Sequence, residues 1–272
     1  MVGSKFFART LTGLIAAPII VACTYWGGFA FLVLILALAL AGVNEFYNLM
    51  RRKDYHPAVY LGNLVVIFFI FAAYYALKKN WEPGHSFILT LACMLTLSAA
   101  VFIKRAEEAI VDIAVTLLGM IYIGWFFSYF LFLRALTDHG AYIFFLMFSV
   151  WSNDIIAYFF GKFFGRHALS KSISPKKTIE GALAGIIFCI ISAVAWGYYF
   201  MNMNLWHAAI LGLIIGVLAV ISDLVESLIK RDAGVKDSGN LIPGHGGVLD
   251  RLDSFILAAP VVYYYAVWVI LK

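Results

Sequence analysis

The chain has 272 residues, of which 64% are hydrophobic and 13% charged, with a formal net charge of +5. A soluble domain carries roughly 45–50% apolar and about 25% charged residues, so this chain cannot cover a water-facing surface. Its wealth of Leu, Ile, Val and Phe excludes disorder. The composition is that of an all-α polytopic membrane protein, and the excess positive charge is no nucleic-acid footprint until its location is known.

About 20 apolar residues cross a hydrocarbon core roughly 30 Å thick. In chain order the apolar runs predict nine spans: Leu11–Trp26, Phe29–Val43, Val59–Leu77, Phe87–Ile103, Ile110–Leu133, Tyr142–Phe160, Ala182–Phe200, Ala208–Ile221 and Phe255–Leu271. The runs are too long and too continuously apolar for barrel strands, so they read as helices. Lys5 and Arg9 before the first run mimic a signal peptide, but a second run follows directly after Gly27 and Gly28. A retained helical hairpin is therefore expected. The fifth run is long enough to tilt. The eighth is short, and is expected to continue as a helix into the polar stretch behind it.

With the N-terminus inside, 16 of the 20 Lys and Arg residues fall on the inner side. That bias predicts a cytoplasmic N-terminus and an outer C-terminus. The chain divides into spans one to five (1–135) and spans six to nine with the charged inner loops (136–272). Cys23, Cys93 and Cys189 are scattered in apolar runs and read as small buried hydrophobes. No internal repeat supports an inverted-repeat transporter, and a transporter or channel would need more charge at midspan.

The outer links are chemically poor. Residues 151–180 and 222–254 together hold 17 of the 35 Asp, Glu, Lys and Arg residues. In the second segment Ser227, Lys230 and Arg231 lead to Lys236-Asp237, then to Pro243-Gly244-His245-Gly246-Gly247, then to Asp250-Arg251-Leu252-Asp253. Glycines let backbone N–H groups approach an anion, and Lys and Arg supply its counter-charge. Carboxylates in such a place would repel phosphate unless a metal stood between them, so Asp223, Asp237, Asp250 and Asp253 suggest Mg²⁺. Together these features point to phosphoryl or nucleotidyl transfer. A merely solvated inner loop would also be charged, but would not need the glycine-histidine stretch.

If the eighth helix runs on, Asp223, Glu226, Ser227 and Lys230 share one face. Asp250 and Asp253 share another at the mouth of the ninth span, so two helices would clamp a metal. In the first segment Asp154 lies inside an apolar run, where an ionisable group is costly and marks function. Ser174-Pro175-Lys176-Lys177-Thr178 precedes a span and reads either as a helix start or as an anion site. Glu45 and Asp112 read as interfacial caps, and the other histidines as interfacial residues.

The stretch Ser227–Asp253 resembles the diagnostic pattern of the phosphatidate cytidylyltransferases, also called CDP-diacylglycerol synthases, at each of its fixed positions. The Asn153-Asp154 pair, the Ser174–Thr178 element and the hydropathy profile are similar to that family as well. The resemblance implies CMP transfer from CTP to phosphatidate, giving CDP-diacylglycerol and pyrophosphate. It implies Mg²⁺ held by residues matching Asp223 and Asp250, with K⁺ as a companion ion. A homodimer in the bacterial inner membrane with a cytoplasmic site is implied too.

On this reading the expected catalytic residues are Asp223, Lys230, Arg231, Lys236, Asp237, His245, Asp250 and Arg251. Substrate would be held by Asp154, Ser174, Lys176, Lys177, Thr178, Ser227, Gly246 and Gly247, and metal by Asp223, Asp250 and Asp253. The alternative is a CTP-dependent lipid kinase of the dolichol or phytol type. The Asp-Gly-x-x-Ala-Arg hallmark of the CDP-alcohol phosphatidyltransferases is missing.

Overall fold

The computed structural model describes residues 2–79, 83–102, 108–242, 244 and 246–272. The chain is built almost entirely of helices, and each of the nine expected spans coincides with a helical run. They are α1 (Val2–Trp26), α2 (Gly28–Arg51), α3 (Val59–Lys79) and α4 (Pro83–Val101). The fifth run is α5 (Ala109–Gly119) continued by α6 (Phe126–Ala135), with a π-helical stretch, Met120–Trp125, between them. Then come α7 (Ala141–Phe164), α8 (Ile179–Met201) and α9 (Leu205–Asp232). The last run is α10 (Leu249–Ile256) continued by α11 (Ala258–Tyr265). Among the described residues seven helical segments are long and apolar enough to cross a membrane. Thr12–Trp26 and Ser86–Val101 are apolar but shorter.

Two boundaries differ from the hydropathy pattern. The eighth helix does continue past its apolar run, to Asp232, and is ended by Gly234 at φ +69°, a left-handed conformation that glycine adopts without strain. The ninth begins at Leu249, so its first turns are polar and carry Asp250 and Asp253. Ser174–Thr178 is not a helix start but a strand, β2, paired antiparallel with β1 (Ala168–Ser170). Only Thr178 belongs to the following helix, as its N-cap: its Oγ1 accepts from the Gly181 N–H at 3.2 Å, the usual service of a threonine there.

Close packing of α7, α8 and α9 rests on glycines four residues apart. A Cβ on Gly181 would lie 2.6 Å from the Ala157 carbonyl oxygen, and one on Gly185 2.8 Å from that of Asn153. On the other side of α8, a Cβ on Gly212 would lie 2.7 Å from the Ile190 Cα, and one on Gly216 3.1 Å from the Ile186 Cα. In lipid no hydrophobic force draws helices together, so backbone approach of this kind supplies much of the attraction. It brings the end of α7, the β-hairpin, the start of α8 and the end of α9 to one place. There Lys53 pairs with Asp232 at 3.1 Å, and this hydrogen bond holds the lysine above its ordinary pKa.

Overpacking typically costs about 1–3 kcal/mol, and Gly212→Val is expected to cost that much and to lower the Tm of the detergent-purified protein. Gly13→Ala, whose Cβ meets nothing within 4 Å, is expected to leave the Tm where it was. An unaltered Tm for Gly212→Val would contradict the packing described.

Candidate active site

The site begins on α9. Its last turns place Asp223, Glu226, Ser227 and Lys230 on one face, as the spacing predicts. The Ser227 hydroxyl lies 3.4 Å from Asp223 Oδ1, and Lys230 Nζ pairs with Glu226 one turn back. Lys230 also reaches across to Asp250 Oδ1 at 2.7 Å. Lys177, on β2, pairs with Asp223. Carboxylate oxygens of Asp223, Glu226 and Asp253 all lie within 4.8 Å of one another. Asp154 on α7 is hydrogen-bonded by Asn153 Nδ2 at 3.2 Å and stands in electrostatic reach of Asp223 and Lys177.

Depth varies across this set. The Lys177 and Asp223 side chains keep 31% and 28% exposure, whereas those of Lys230, Asp250 and Glu226 keep 12%, 6% and 0%. The accessible mouth therefore leads to a buried floor. Five carboxylates face two ammonium groups here, an excess of negative charge that favours a bound cation. An all-oxygen donor set at this spacing suits a hard divalent ion and not a soft one.

The glycine-rich loop between α9 and α10 is organised by two carboxylates. Asp250 Oδ2 accepts from the backbone N–H of Ser238 at 2.9 Å and of Gly247 at 2.8 Å, and from the Ser238 hydroxyl at 3.0 Å. A Cβ on Gly246, at φ +86°, would sit 2.8 Å from that same oxygen, and one on Gly247 would collide with Ser238 and Glu45. The glycines are thus needed to let the loop close around carboxylates.

The second organiser is Glu45, which corrects the expectation of an interfacial cap. It lies inside α2, not at its end, and is 7% exposed. It accepts from the N–H groups of Val248 and Leu249, each at 2.9 Å, and from Ser238 Oγ at 3.0 Å. The N-cap residue of α10, Val248, has no side-chain acceptor of its own. A carboxylate from α2 therefore meets the orphan donors and positive dipole end of α10. Glu45 lies two residues beyond the apolar run Phe29–Val43, so the criterion that singled out Asp154, an ionisable residue within a run, passes over it.

The remaining residues singled out by the sequence take varied positions. Asp112 is buried in the first turn of α5 and accepts from the His56 N–H at 2.6 Å. Arg231 donates to the carbonyls of Ile173 at 3.3 Å and Val235 at 3.0 Å, tying the hairpin to the loop. Lys176, Lys236, Asp237 and Arg251 are exposed around the site, and Ser174 is half-buried on β2. His245 and Pro243 lie outside the described residues. Glu226, which the spacing placed on the correct face without a role, joins the carboxylate set. Asp250 stands beside that set, joined to it through Lys230.

Removing the acceptor from buried donors costs about 1–3 kcal/mol for a group left unsatisfied. Glu45→Ala is expected to lose stability on that scale and to open residues 234–248 to limited proteolysis, with Glu45→Gln intermediate. Wild-type protease resistance in Glu45→Ala would remove Glu45 from this role.

The sequence profile described as the cytidylyltransferase family matches residues 7–269. Among curated proteins, the phosphatidate cytidylyltransferase of Bacillus subtilis (strain 168) is 33% identical over 258 residues, covering 94% of this chain and 96% of the relative. The phosphatidate cytidylyltransferase of a Synechocystis species is 33% identical over 290 residues, covering 95% and 96%. That of Staphylococcus haemolyticus is 32% identical over 254 residues, covering 93% and 95%. With its site at one end of a helical membrane bundle and near end-to-end similarity to these proteins, the chain belongs to the cytidylyltransferase family.

Proposed function

We propose that this protein transfers CMP from CTP to phosphatidate, releasing pyrophosphate and forming CDP-diacylglycerol for phospholipid synthesis. The observation that carries the reading is the meeting of Asp223, Glu226 and Asp253 within 4.8 Å beside Lys177 and Lys230, in a chain similar to phosphatidate cytidylyltransferases over almost its whole length. The placement of Lys and Arg along the sequence supports a cytoplasmic location for this end of the bundle, where CTP is found. The family resemblance supports a homodimer in a bacterial inner membrane.

The chemistry asks little covalent work of the protein. The phosphate monoester of phosphatidate is the nucleophile, and its second pKa lies near ~6, as in a phosphorylated side chain. It attacks the α-phosphorus, the bond to the β-phosphate oxygen breaks, and pyrophosphate leaves. The obstacle is bringing two polyanions together.

Lys177 at the mouth and Lys230 on the floor offset that repulsion, with the exposed Lys176, Lys236 and Arg251 around them. Arg231 and the Asp250-bound loop hold these groups in register, so positioning contributes most of the rate. Mg²⁺ held by Asp223, Glu226 and Asp253, with K⁺ as its companion, would neutralise the phosphates and stabilise the leaving group. No side chain is required as a dedicated general base.

With purified protein, Mg²⁺ and phosphatidate, label from [α-³²P]CTP is expected in the lipid and label from [γ-³²P]CTP in pyrophosphate. Transfer of γ-label to the lipid would instead establish a lipid kinase. Asp223→Asn and Asp253→Asn are each expected to lower kcat at least about 10²-fold, the scale on which loss of one electrostatic stabiliser is felt, with Tm retained. EDTA is expected to abolish turnover and Mg²⁺ to restore it. Lys177→Ala is expected to reduce kcat/KM more than Lys176→Ala, because only Lys177 pairs with the carboxylate set. Equal losses would contradict that distinction.

A further inference from the structure

Beside the polar site the bundle holds an apolar cavity of about 380 Å³ between α1, α2, α6, α7 and α10. Its walls are aliphatic and aromatic, and Arg251 is its one charged lining residue among those described. The cavity is elongated. Along α1 it runs from Thr12 to Thr24, a rise of about 18 Å. That is close to the depth of one bilayer leaflet, roughly half of the ~30 Å hydrocarbon core.

Two helices connect the cavity to the site. On α10, Arg251, Leu252 and Phe255 line the cavity, while the neighbouring Asp250 and Asp253 face Lys230 and the carboxylate set. On α7, Ile143, Met147 and Trp151 line the cavity, and the same helical stripe arrives at Asp154 one turn later.

We propose that this cavity seats an acyl chain of the phosphatidate molecule, with Arg251 holding the lipid phosphate at its mouth beside the transfer site. The inference rests on the function proposed above and assigns one basic residue to the lipid, not to CTP. Charge complementarity fixes the occupant. A neutral lipid or a detergent tail would gain nothing from an arginine at the entrance, whereas a phosphate monoester gains a charge-assisted, bidentate partner. The chain itself contributes little affinity, because it leaves an equally apolar bilayer. The cavity therefore acts by position and length: it aims the headgroup toward α10 and limits which chains fit.

The test uses the full chain purified in detergent. Ala17 lines the cavity part-way along α1, and Ala17→Phe would shorten it. The expected result is a roughly tenfold fall in kcat/KM for dioleoyl relative to dioctanoyl phosphatidate, with the KM for CTP within twofold of wild type. Ala17→Leu, a milder filling, is expected to move the same ratio less. Arg251→Ala is expected to raise the KM for phosphatidate about tenfold without a matching rise for CTP, and Arg251→Lys to recover part of the loss.

Independently, a phosphatidate with a mid-chain diazirine is expected to crosslink to the Phe31–Leu38 segment. Dioleoyl phosphatidate should compete, and dioleoyl phosphatidylcholine should not. Unchanged chain preference in both Ala17 variants, or crosslinks spread uncompeted over the outer helices, would overturn the cavity assignment while leaving the transferase reading intact. A wild-type protein that makes no CDP-diacylglycerol would instead defeat the transferase reading, and the crosslinking result would still decide the cavity.

Discussion

A carboxylate withdrawn from water at a membrane boundary must be met by donors or cations, or it destabilises the protein that holds it. This chain gathers several such groups at one end of its bundle and answers each differently. Glu45 is met by two backbone N–H groups and a serine hydroxyl. Asp250 is met by backbone on one oxygen and by Lys230 on the other. Asp223 takes Lys177, and Glu226 shares Lys230. The arrangement of hairpin, loop and helix ends follows from these pairings, and the charge they leave unbalanced makes the place fit for a cation and polyphosphate.

The two organising carboxylates divide the work. Glu45 fixes where α10 begins, because it satisfies the donors that every helix start leaves orphaned. Asp250 fixes the shape of the loop, and its remaining oxygen orients Lys230. Ser238 touches both acids at 3.0 Å. Its single hydroxyl proton serves one acceptor at a time, so the two anchors are coupled through it. A loop anchored on two carboxylates next to a more accessible Lys177–Asp223 mouth is a sound division for an enzyme that must admit two charged substrates and still hold its geometry.

Helix contact in the bilayer sets the scale of the site. Glycines at 181, 185, 212 and 216 let α7, α8 and α9 approach backbone to backbone. Only at that separation can Lys177 of the hairpin meet Asp223 of α9 with Asp154 of α7 close by. On its other face α10 borders the apolar cavity. A helix of eight residues thus stands between a polar reaction site and a space suited to hydrocarbon, which is the juxtaposition a lipid phosphate requires.

Much of this was legible in the residues. Apolar length marked each of the nine expected spans, because a span must satisfy its backbone internally and so writes a continuous apolar signature. The face shared by Asp223, Glu226, Ser227 and Lys230 was legible too, since it depends only on helical pitch. The family pattern marked the loop.

Other features required the fold. Asp250 and Asp253, three residues apart, both turn toward α9, but only Asp250 is also wrapped by the loop, whose Ser238 and Gly247 N–H groups donate to it. Ser174–Thr178 forms a strand against an excursion that hydropathy does not record. Glu45 is paired with residues as many as 204 positions away, and no local spacing can reveal such a contact. Local chemistry is written in order along the chain, whereas the partner of a buried charge is chosen by packing in three dimensions.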